Sequence, residues 1–199
     1  MKQSILVRHH FKEILDAVFD LAIQQNIPYA DRGYCIPAEI IENALLFIGI
    51  NPSYASVNTN STHFNCFSTH QQSGADHAYY RKFATISNQV KVPWSHLDML
   101  FYQETAQNSF HEIEKANGGK EFIATQLQIT KQILEKAKPK VIVVSNTLAR
   151  KLFTENLSLN CVFDNEIGTH RINEGLLKGT PVFFTSMLTG QRAVSYTHL

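Results

Sequence analysis

The residues of this chain best suited to chemistry lie in one short stretch, Gly49-Ile50-Asn51-Pro52-Ser53. The stretch follows an apolar run that is too short for a helix, which predicts a buried strand ending in a tight polar turn. Gly49 allows another group to approach the backbone closely, and Pro52 stiffens the turn by fixing φ. Asn51 offers a donor and an acceptor to a ligand. The alternative is that Asn51 only caps the turn with its own side chain.

Polar residues also follow the other strands that we predict from apolar runs. They are Tyr102 and Gln103 after 97–101, Ser145 and Asn146 after 141–144, and Ser186 to Arg192 after 181–185. Because the carboxyl ends of parallel strands share one edge of a sheet, we expect these residues to form one pocket. Amides and hydroxyls, with Tyr54, Phe64 and Tyr102 as stacking platforms, suit a planar hydrogen-bonding ligand such as a nucleobase. Ser145 and Asn146 are equally well explained as an ordinary helix N-cap.

Helices alternate with these strands. Apolar residues at helical spacing predict helices at 11–25, 78–90 and 120–137, and a short one carrying Leu148, Leu152 and Phe153. We expect residues 29–42 to be loop, 54–77 to be the longest irregular stretch, and 161–178 to form short edge strands around Gly168. The order indicates a single α/β domain over 1–199, a three-layer αβα sandwich with a mostly parallel central sheet.

Composition excludes several classes of protein. The 199 residues include 18 Lys and Arg against 17 Asp and Glu, so the net charge of +1 predicts at most a local, weak contact with nucleic acid. No apolar run approaches a membrane span and the N-terminus lacks a signal-peptide pattern, so we expect a cytoplasmic protein without membrane contact. Neither a GxGxxG nor a GxxxxGK[ST] motif is present, and we expect no cofactor.

Cysteine and histidine spacing does not indicate a metal site. The three cysteines, Cys35, Cys66 and Cys161, are far apart, which argues against a disulfide framework, a zinc ribbon and an iron–sulfur cluster. His63, Cys66, His70 and His77 share the long irregular stretch, but their spacing matches no zinc template. We therefore expect no bound metal.

Gly49-Ile50-Asn51-Pro52-Ser53 after an apolar strand resembles the first motif of the uracil-DNA glycosylase superfamily. It is most similar to the mismatch-specific uracil/thymine-DNA glycosylase branch, whose motif is Gly-Ile-Asn-Pro-Gly, so that Ser53 departs from it. The resemblance spans about residues 43–195 and includes the helix that starts near His77, the strand at 141–144 and the segment 185–192. In that last segment the family's His-Pro-Ser or Asn-Pro-Ser is missing, and Met187 lies near the His or Asn position.

The resemblance implies a uracil-DNA glycosylase-like fold and hydrolysis of the N-glycosidic bond of uracil, or a related damaged or mismatched base, in DNA repair. Asn51 would position the attacking water where the fastest branch has an Asp; because an amide cannot take the proton, catalysis would be slow. The implied base-binding residues are Gly49, Ile50, Pro52, Ser53, Tyr54, Phe64, Ser145 and Asn146. The implied DNA-contacting residues are Ser186, Met187, Leu188, Thr189, Gly190, Gln191 and Arg192, with Leu188 or Arg192 filling the space left by a flipped nucleotide.

Two other functions remain open. The altered second motif and the near-neutral charge favour a superfamily member that binds a nucleobase or nucleic acid without catalysis. The same fold could also serve a small-molecule enzyme. We expect DNA as the partner of a monomer, and the sequence indicates no protein partner.

Overall fold

The computed structural model describes residues 3–54, 65–68, 79–106, 108–157, 159–186 and 188. Within them the strands are β1 (Ser4–Leu6), β2 (Tyr34–Pro37), β3 (Glu39–Ile41), β4 (Leu45–Gly49), β5 (Asn65–Ser68), β6 (Trp94–Asp98), β7 (Val141–Ser145), β8 (Cys161–Asp164), β9 (Thr169–Ile172) and β10 (Pro181–Thr185). The α-helices are α1 (Val7–Gln24), α2 (Arg81–Val90), α3 (Ser109–Lys115), α4 (Gly119–Ala137) and α5 (Thr147–Glu155). No helix among these residues is long and apolar enough to cross a membrane.

Six strands form the central sheet, in the order β6-β4-β7-β10-β9-β8. The first four run parallel, and β9 and β8 extend the sheet as an antiparallel hairpin. Every residue of β4 is buried, as expected for a strand with a neighbour on each side and packed side chains on both faces. The α/β class and the mostly parallel sheet predicted from the sequence are therefore confirmed, and the four parallel strands end at one edge.

Helices cover both faces of this sheet. Because successive strand residues point to opposite faces, Phe47 and Ile48 enter different cores. Ile48 belongs to the larger core, which contains side chains of α1, α3, α4 and α5. Phe47 belongs to the smaller core, where its ring stacks on Phe83 of α2 with 4.3 Å between the ring centroids. The sheet thus separates two helical layers.

Several parts of the sequence prediction were wrong. Residues 29–42, expected as loop, contain a 3₁₀ turn (Ala30–Arg32) together with β2 and β3. These strands have three or four residues and pair with distant segments, β3 with β1 and β2 with β5, so they show no local pattern. For the same reason β5 was missed inside 54–77, which was expected to be irregular. Helix α3, with seven residues, was also missed.

The strand expected at 97–101 lies three residues earlier, at Trp94–Asp98. Residues 99–101 are fully buried although they lie beyond the last pairing of the sheet. Burial therefore extended the apolar pattern past the end of the strand. The error affects the interpretation of the site, because Asp98 falls inside the predicted strand although it is the last residue of the observed one.

The longer elements were predicted well. Helix α4 starts one residue before the predicted 120, and α1 starts at Val7 rather than 11. The edge strands expected around Gly168 are confirmed as β8 and β9. Helix α4 ends where Lys138 adopts a left-handed φ of 44° immediately before Pro139, a residue that cannot continue a helix.

Candidate functional site

A cleft of about 260 Å³ opens at the carboxyl edge of the parallel strands. Its wall combines residues that follow β4, β6 and β7 with one residue that precedes α2. The lining residues are Gly49, Ile50, Asn51, Ser53, Tyr79, Tyr102, Glu104, Thr105, Ser145 and Asn146. The structure therefore brings together the polar ends of three strands, the arrangement that we expected for a ligand pocket.

Asn51 connects two loops of this cleft. Its side-chain nitrogen donates to the backbone carbonyl of Glu104 at 2.7 Å and to that of Pro52 at 3.2 Å. Since both partners are acceptors, they define which end of the amide is the nitrogen. Among the described residues none donates a hydrogen bond to Asn51 Oδ1, which can therefore accept one from a ligand or a water. The shorter bond reaches across to the other loop, so Asn51 does more than cap its own turn.

The two loops joined by Asn51 run side by side past the ends of β4 and β6. The backbone N–H groups of Met99 and Leu100 donate to the carbonyls of Gly49 and Ile50 at 3.1 and 2.9 Å. Farther along, the N–H of Glu104 donates to the Pro52 carbonyl at 3.0 Å. The hydroxyl of Thr105 donates to the Tyr54 carbonyl at 3.1 Å. These contacts join the loops along their whole length.

The carboxylate of Glu104 is already occupied. One oxygen accepts hydrogen bonds from the backbone N–H groups of Thr105 and Ala106 at 2.5 and 2.9 Å, and the other pairs with the Arg32 guanidinium. The Ala106 N–H and these other donors hold the pKa of Glu104 below its usual range. A carboxylate bound in this way keeps its charge and is poorly suited to act as a general base.

A second carboxyl group, that of Asp98, lies beside Gly49 at the end of β6. The two residues are paired in the sheet register, and a Cβ atom on Gly49 would stand 2.2 Å from Asp98 Oδ1. Gly49 is therefore needed for the close approach that its position in the sequence suggested. Imidazole Nε2 of His96 lies 3.6 Å from the same oxygen. Burial raises the pKa of Asp98 to about 7, so the carboxyl is partly protonated at neutral pH.

Asp98 belongs to a polar row across the four parallel strands. Gly49 pairs with Asp98, and Thr185 pairs with Ser145. Gly49 and Ser145 lie at equivalent positions of β4 and β7, because the residues before them, Ile48 and Val144, are paired. The Ser145 hydroxyl donates to the Ile48 carbonyl at 3.2 Å. The buried hydroxyl of Thr185 has no hydrogen-bond partner among the described residues. Sequence reasoning missed Asp98; the available signal was an acidic residue inside the otherwise apolar stretch 97–101.

Asn146 lines the cleft, but its carbonyl oxygen is occupied. Oδ1 accepts from the backbone N–H groups of Leu148 and Ala149 at 2.8 and 3.4 Å, which makes Asn146 the N-cap of α5. The N-cap interpretation of this residue is therefore confirmed. Its φ of 122° is positive, a conformation that costs free energy for any residue other than glycine.

We expect Asn146→Ala to be clearly less stable than Asn146→Gly. Loss of the cap costs about 1 kcal/mol for Ala and only a few tenths for Gly, and Ala adds strain at the positive φ. Guanidinium denaturation of the two variants measures the difference. Equal midpoints would contradict the backbone conformation described for Asn146.

The aromatic residues Tyr54 and Tyr102, expected to stack on a ligand, are not placed to do so. Tyr54 does not line the cleft: its ring is 39% exposed and packs on the Arg32 guanidinium, 4.4 Å from the ring centroid. Tyr102 lines the cleft but is only 1% exposed, and its hydroxyl lies 3.2 Å from Ser109 Oγ. Neither ring offers an open face towards the cleft. Phe64 lies outside the described residues.

The remaining predicted positions contribute little to the cleft. Pro52 acts through its carbonyl, which accepts from Asn51 and Glu104. Ser186 is exposed outside the cleft lining, and Leu188 packs against the core of α2. The other predicted DNA-contacting residues lie outside the described part of the chain: Met187, Thr189, Gly190, Gln191 and Arg192.

The histidines considered for metal binding, His63, His70 and His77, also lie outside the described residues. The thiols of Cys35, Cys66 and Cys161 are half-buried. In the part of the chain that the structure describes, no group of three or more His, Cys, Asp or Glu side chains is placed to hold a metal ion.

The pH dependence of stability tests the environment of Asp98. Its pKa lies near 3.8 when unfolded and near 7 when folded, so the folded state keeps the proton over this interval and stability falls as pH rises through it. We expect this slope to be absent in Asp98→Asn. The free energy of unfolding of the variant, relative to that of the native chain, should therefore rise by on the order of 4 kcal/mol from pH 4 to pH 8. Urea denaturation at several pH values measures it.

The control for this experiment is Asp164→Asn. The Arg171 guanidinium holds the pKa of Asp164 below its usual range, so this variant loses stability above pH 4 instead of gaining it. Tyr79 and Tyr80, which contact His96, have phenol pKa values raised by burial and stay neutral over the interval. The imidazole of His96 lies 3.6 Å from Asp98 Oδ1, and the same series in His96→Gln separates its contribution. A parallel pH profile for Asp98→Asn and the native chain would contradict the assignment.

No protein-family model matches the chain, and no curated protein matches it.

Proposed function

We propose that this protein is a DNA glycosylase that hydrolyses the N-glycosidic bond of uracil or a related damaged base, on a three-layer fold like that of the uracil-DNA glycosylases. The supporting observation is the Asn51 amide. Two carbonyls bind its nitrogen, and its oxygen is left as an acceptor in a cleft at the carboxyl edge of the sheet. This orientation suits an amide that holds a water molecule by accepting one of its hydrogen bonds.

In the proposed reaction the target nucleotide leaves the DNA stack and its base enters the cleft. The hydroxyl of Ser145, in the wall of the cleft, provides a polar group for the edge of a base. Asn51 orients a water whose oxygen bonds to the sugar C1′ as the bond from C1′ to the base breaks. The base leaves as an anion and takes the proton that the water releases. Glu104 keeps Arg32 as its partner and does not take the proton. Catalysis through Asn51 then rests on positioning and is slow.

DNA contact belongs to the same proposal. Residues 186–192 come directly after β10 in the sequence, and Arg192 is the residue we assign to the space left by the flipped nucleotide, because Leu188 packs against the core of α2. The net charge of +1 is consistent with a short footprint on DNA rather than a long one.

A non-catalytic nucleobase-binding protein is the second candidate function. It is favoured by the state of Glu104, the one carboxylate that lines the cleft among the described residues, which is neutralised by Arg32 and by backbone N–H groups. A small-molecule enzyme on the same fold would share this cleft but would not bind DNA.

Strand scission of labelled DNA tests the proposal. Duplexes with one uracil opposite adenine or guanine, and the corresponding single strand, are incubated with excess protein and then treated with alkali. Cleavage at the uracil supports the glycosylase. Binding without cleavage, weakening steeply with salt, would instead support the binding protein. If the protein neither binds nor cleaves these DNAs, the nucleic-acid proposal is overturned in favour of a small-molecule substrate.

A further inference from the structure

We propose that Arg32 is a positioning residue for Asn51: it holds Glu104 in place, and the backbone carbonyl of Glu104 holds the Asn51 amide. The contacts that support this do not depend on what the cleft binds. Only the catalytic consequence rests on the proposed glycosylase function.

Arg32 reaches the cleft wall from outside, from the end of the 3₁₀ turn. Its guanidinium lies between two aromatic rings, 4.7 Å from the ring centroid of Tyr29 and 4.4 Å from that of Tyr54. It pairs with the carboxylate of Glu104, whose side chain is only 11% exposed. The carbonyl of Arg32 also accepts a hydrogen bond from Gln103 Nε2 at 2.9 Å. One residue thus contacts both loops that Asn51 connects.

Glu104 transmits this contact to Asn51. Its side chain pairs with Arg32, its N–H donates to the Pro52 carbonyl at 3.0 Å, and its carbonyl accepts from Asn51 Nδ2 at 2.7 Å. A charge-assisted hydrogen bond at a mostly buried carboxylate is among the stronger contacts available to a loop. Without Arg32, the Glu104 carboxylate would turn towards solvent, and the backbone carbonyl of Glu104 would no longer be fixed opposite the side-chain amide of Asn51.

The contact requires the geometry of arginine. A planar guanidinium can stack on two rings while its edge donates to a carboxylate, whereas a lysine ammonium keeps only the charge. The ring that backs the guanidinium is itself fixed: the Tyr29 hydroxyl donates to the Glu112 carboxylate, and the Tyr29 backbone has a left-handed φ of 67°. Strained backbone of this kind persists where surrounding contacts determine it.

The test measures the Asn51 amide directly, by NMR exchange of its side-chain protons with water in ¹⁵N-labelled protein. The Asn51→Ala variant identifies the resonances. We expect Arg32→Met to increase the exchange rate at least about tenfold, because one held hydrogen bond becomes transient. Arg32→Lys should give an intermediate rate. The matched control is Arg171→Met, which removes an Arg–Asp164 pair of 2.8 Å at the far hairpin and should leave the Asn51 rate unchanged.

Kinetics give the second readout. If the protein excises uracil, Arg32→Met should lower kcat by about tenfold or more with KM within about twofold, since the substrate contacts stay and the water is misplaced. Faster amide exchange in a chain without glycosylase activity supports the positioning role and overturns only the proposed function. Unchanged amide exchange in Arg32→Met overturns the positioning role whatever the activity. Should Arg32→Met not fold, Arg32→Lys decides by the same criterion.

Discussion

Uracil excision by Asn51→Ala is expected to be about a hundredfold slower than by the native chain under single-turnover conditions, because the group that orients the water is gone. The assay is alkali-induced scission of uracil-containing DNA at excess protein. Binding of the same DNA should change much less, since the amide oxygen acts on the water rather than on the base.

The matched control is Asn156→Ala, which removes an exposed Asn at the C-cap of α5. It should excise uracil at the native rate. Equal rates for Asn51→Ala and the native chain, where the native chain is active, would remove Asn51 from the mechanism and leave the cleft without its water-positioning group.

Asn51→Asp is not expected to create a fast enzyme. The nitrogen it replaces faces the carbonyls of Glu104 and Pro52 at 2.7 and 3.2 Å, and a carboxylate there would place three acceptors together. The new side chain must either turn away or keep a proton. Activity that rises at acidic pH, or a loss of stability at neutral pH, would follow from this contact.

Gly49→Ala should destabilise the protein by about 3 kcal/mol, a large effect for one methyl group. The new Cβ would stand 2.2 Å from Asp98 Oδ1 and 3.2 Å from both His96 Nε2 and the Tyr79 hydroxyl. The carboxyl has little room to move, because His96 and Tyr79 lie on the same side. Guanidinium denaturation of the variant measures the loss.

The double variant Gly49→Ala/Asp98→Ala isolates the cause. Removing the carboxyl makes room for the methyl group, so Gly49→Ala should cost clearly less in the Asp98→Ala background, and the difference is the coupling energy. Gly168→Ala serves as the control: its φ of 66° makes it strained, but nothing lies within 4 Å of the new Cβ, so Asp98→Ala should not rescue it. A cost independent of Asp98 would show that the close contact is not the reason for Gly49.

How far the sequence could predict this molecule depended on the range of the contacts. Strand β4 and helix α4 carry their pattern in consecutive residues, so apolar runs and helical spacing located both. The turn after β4 was predicted because Gly, Asn and Pro have backbone preferences of their own. Strands β2, β3 and β5 are formed by pairing with segments distant in the sequence, and no local pattern predicts them.

The candidate site divides in the same way. Asn51, Ser53, Ser145 and Asn146 were expected at strand ends and line the cleft. Asp98 was missed because burial beyond β6 obscured where that strand ends. Arg32 and Glu104 could not be found from spacing, since they are 72 residues apart and the group that binds Asn51 is a backbone carbonyl. Any residue type carries that carbonyl, so its role leaves no mark in the sequence.

The hydrogen bonds that join the loops after β4 and β6 also determine how the cleft would receive a ligand. Because hydrogen bonds of the chain itself join these two loops, the conformational entropy of the loops is lost during folding. A ligand entering between Asn51 and Ser145 meets walls that are in place and needs little further ordering of this side of the cleft. The affinity of the cleft is therefore governed by how well a ligand matches its existing shape and polar groups. To accommodate a poorly matched ligand, the two loops would have to break the hydrogen bonds that join them.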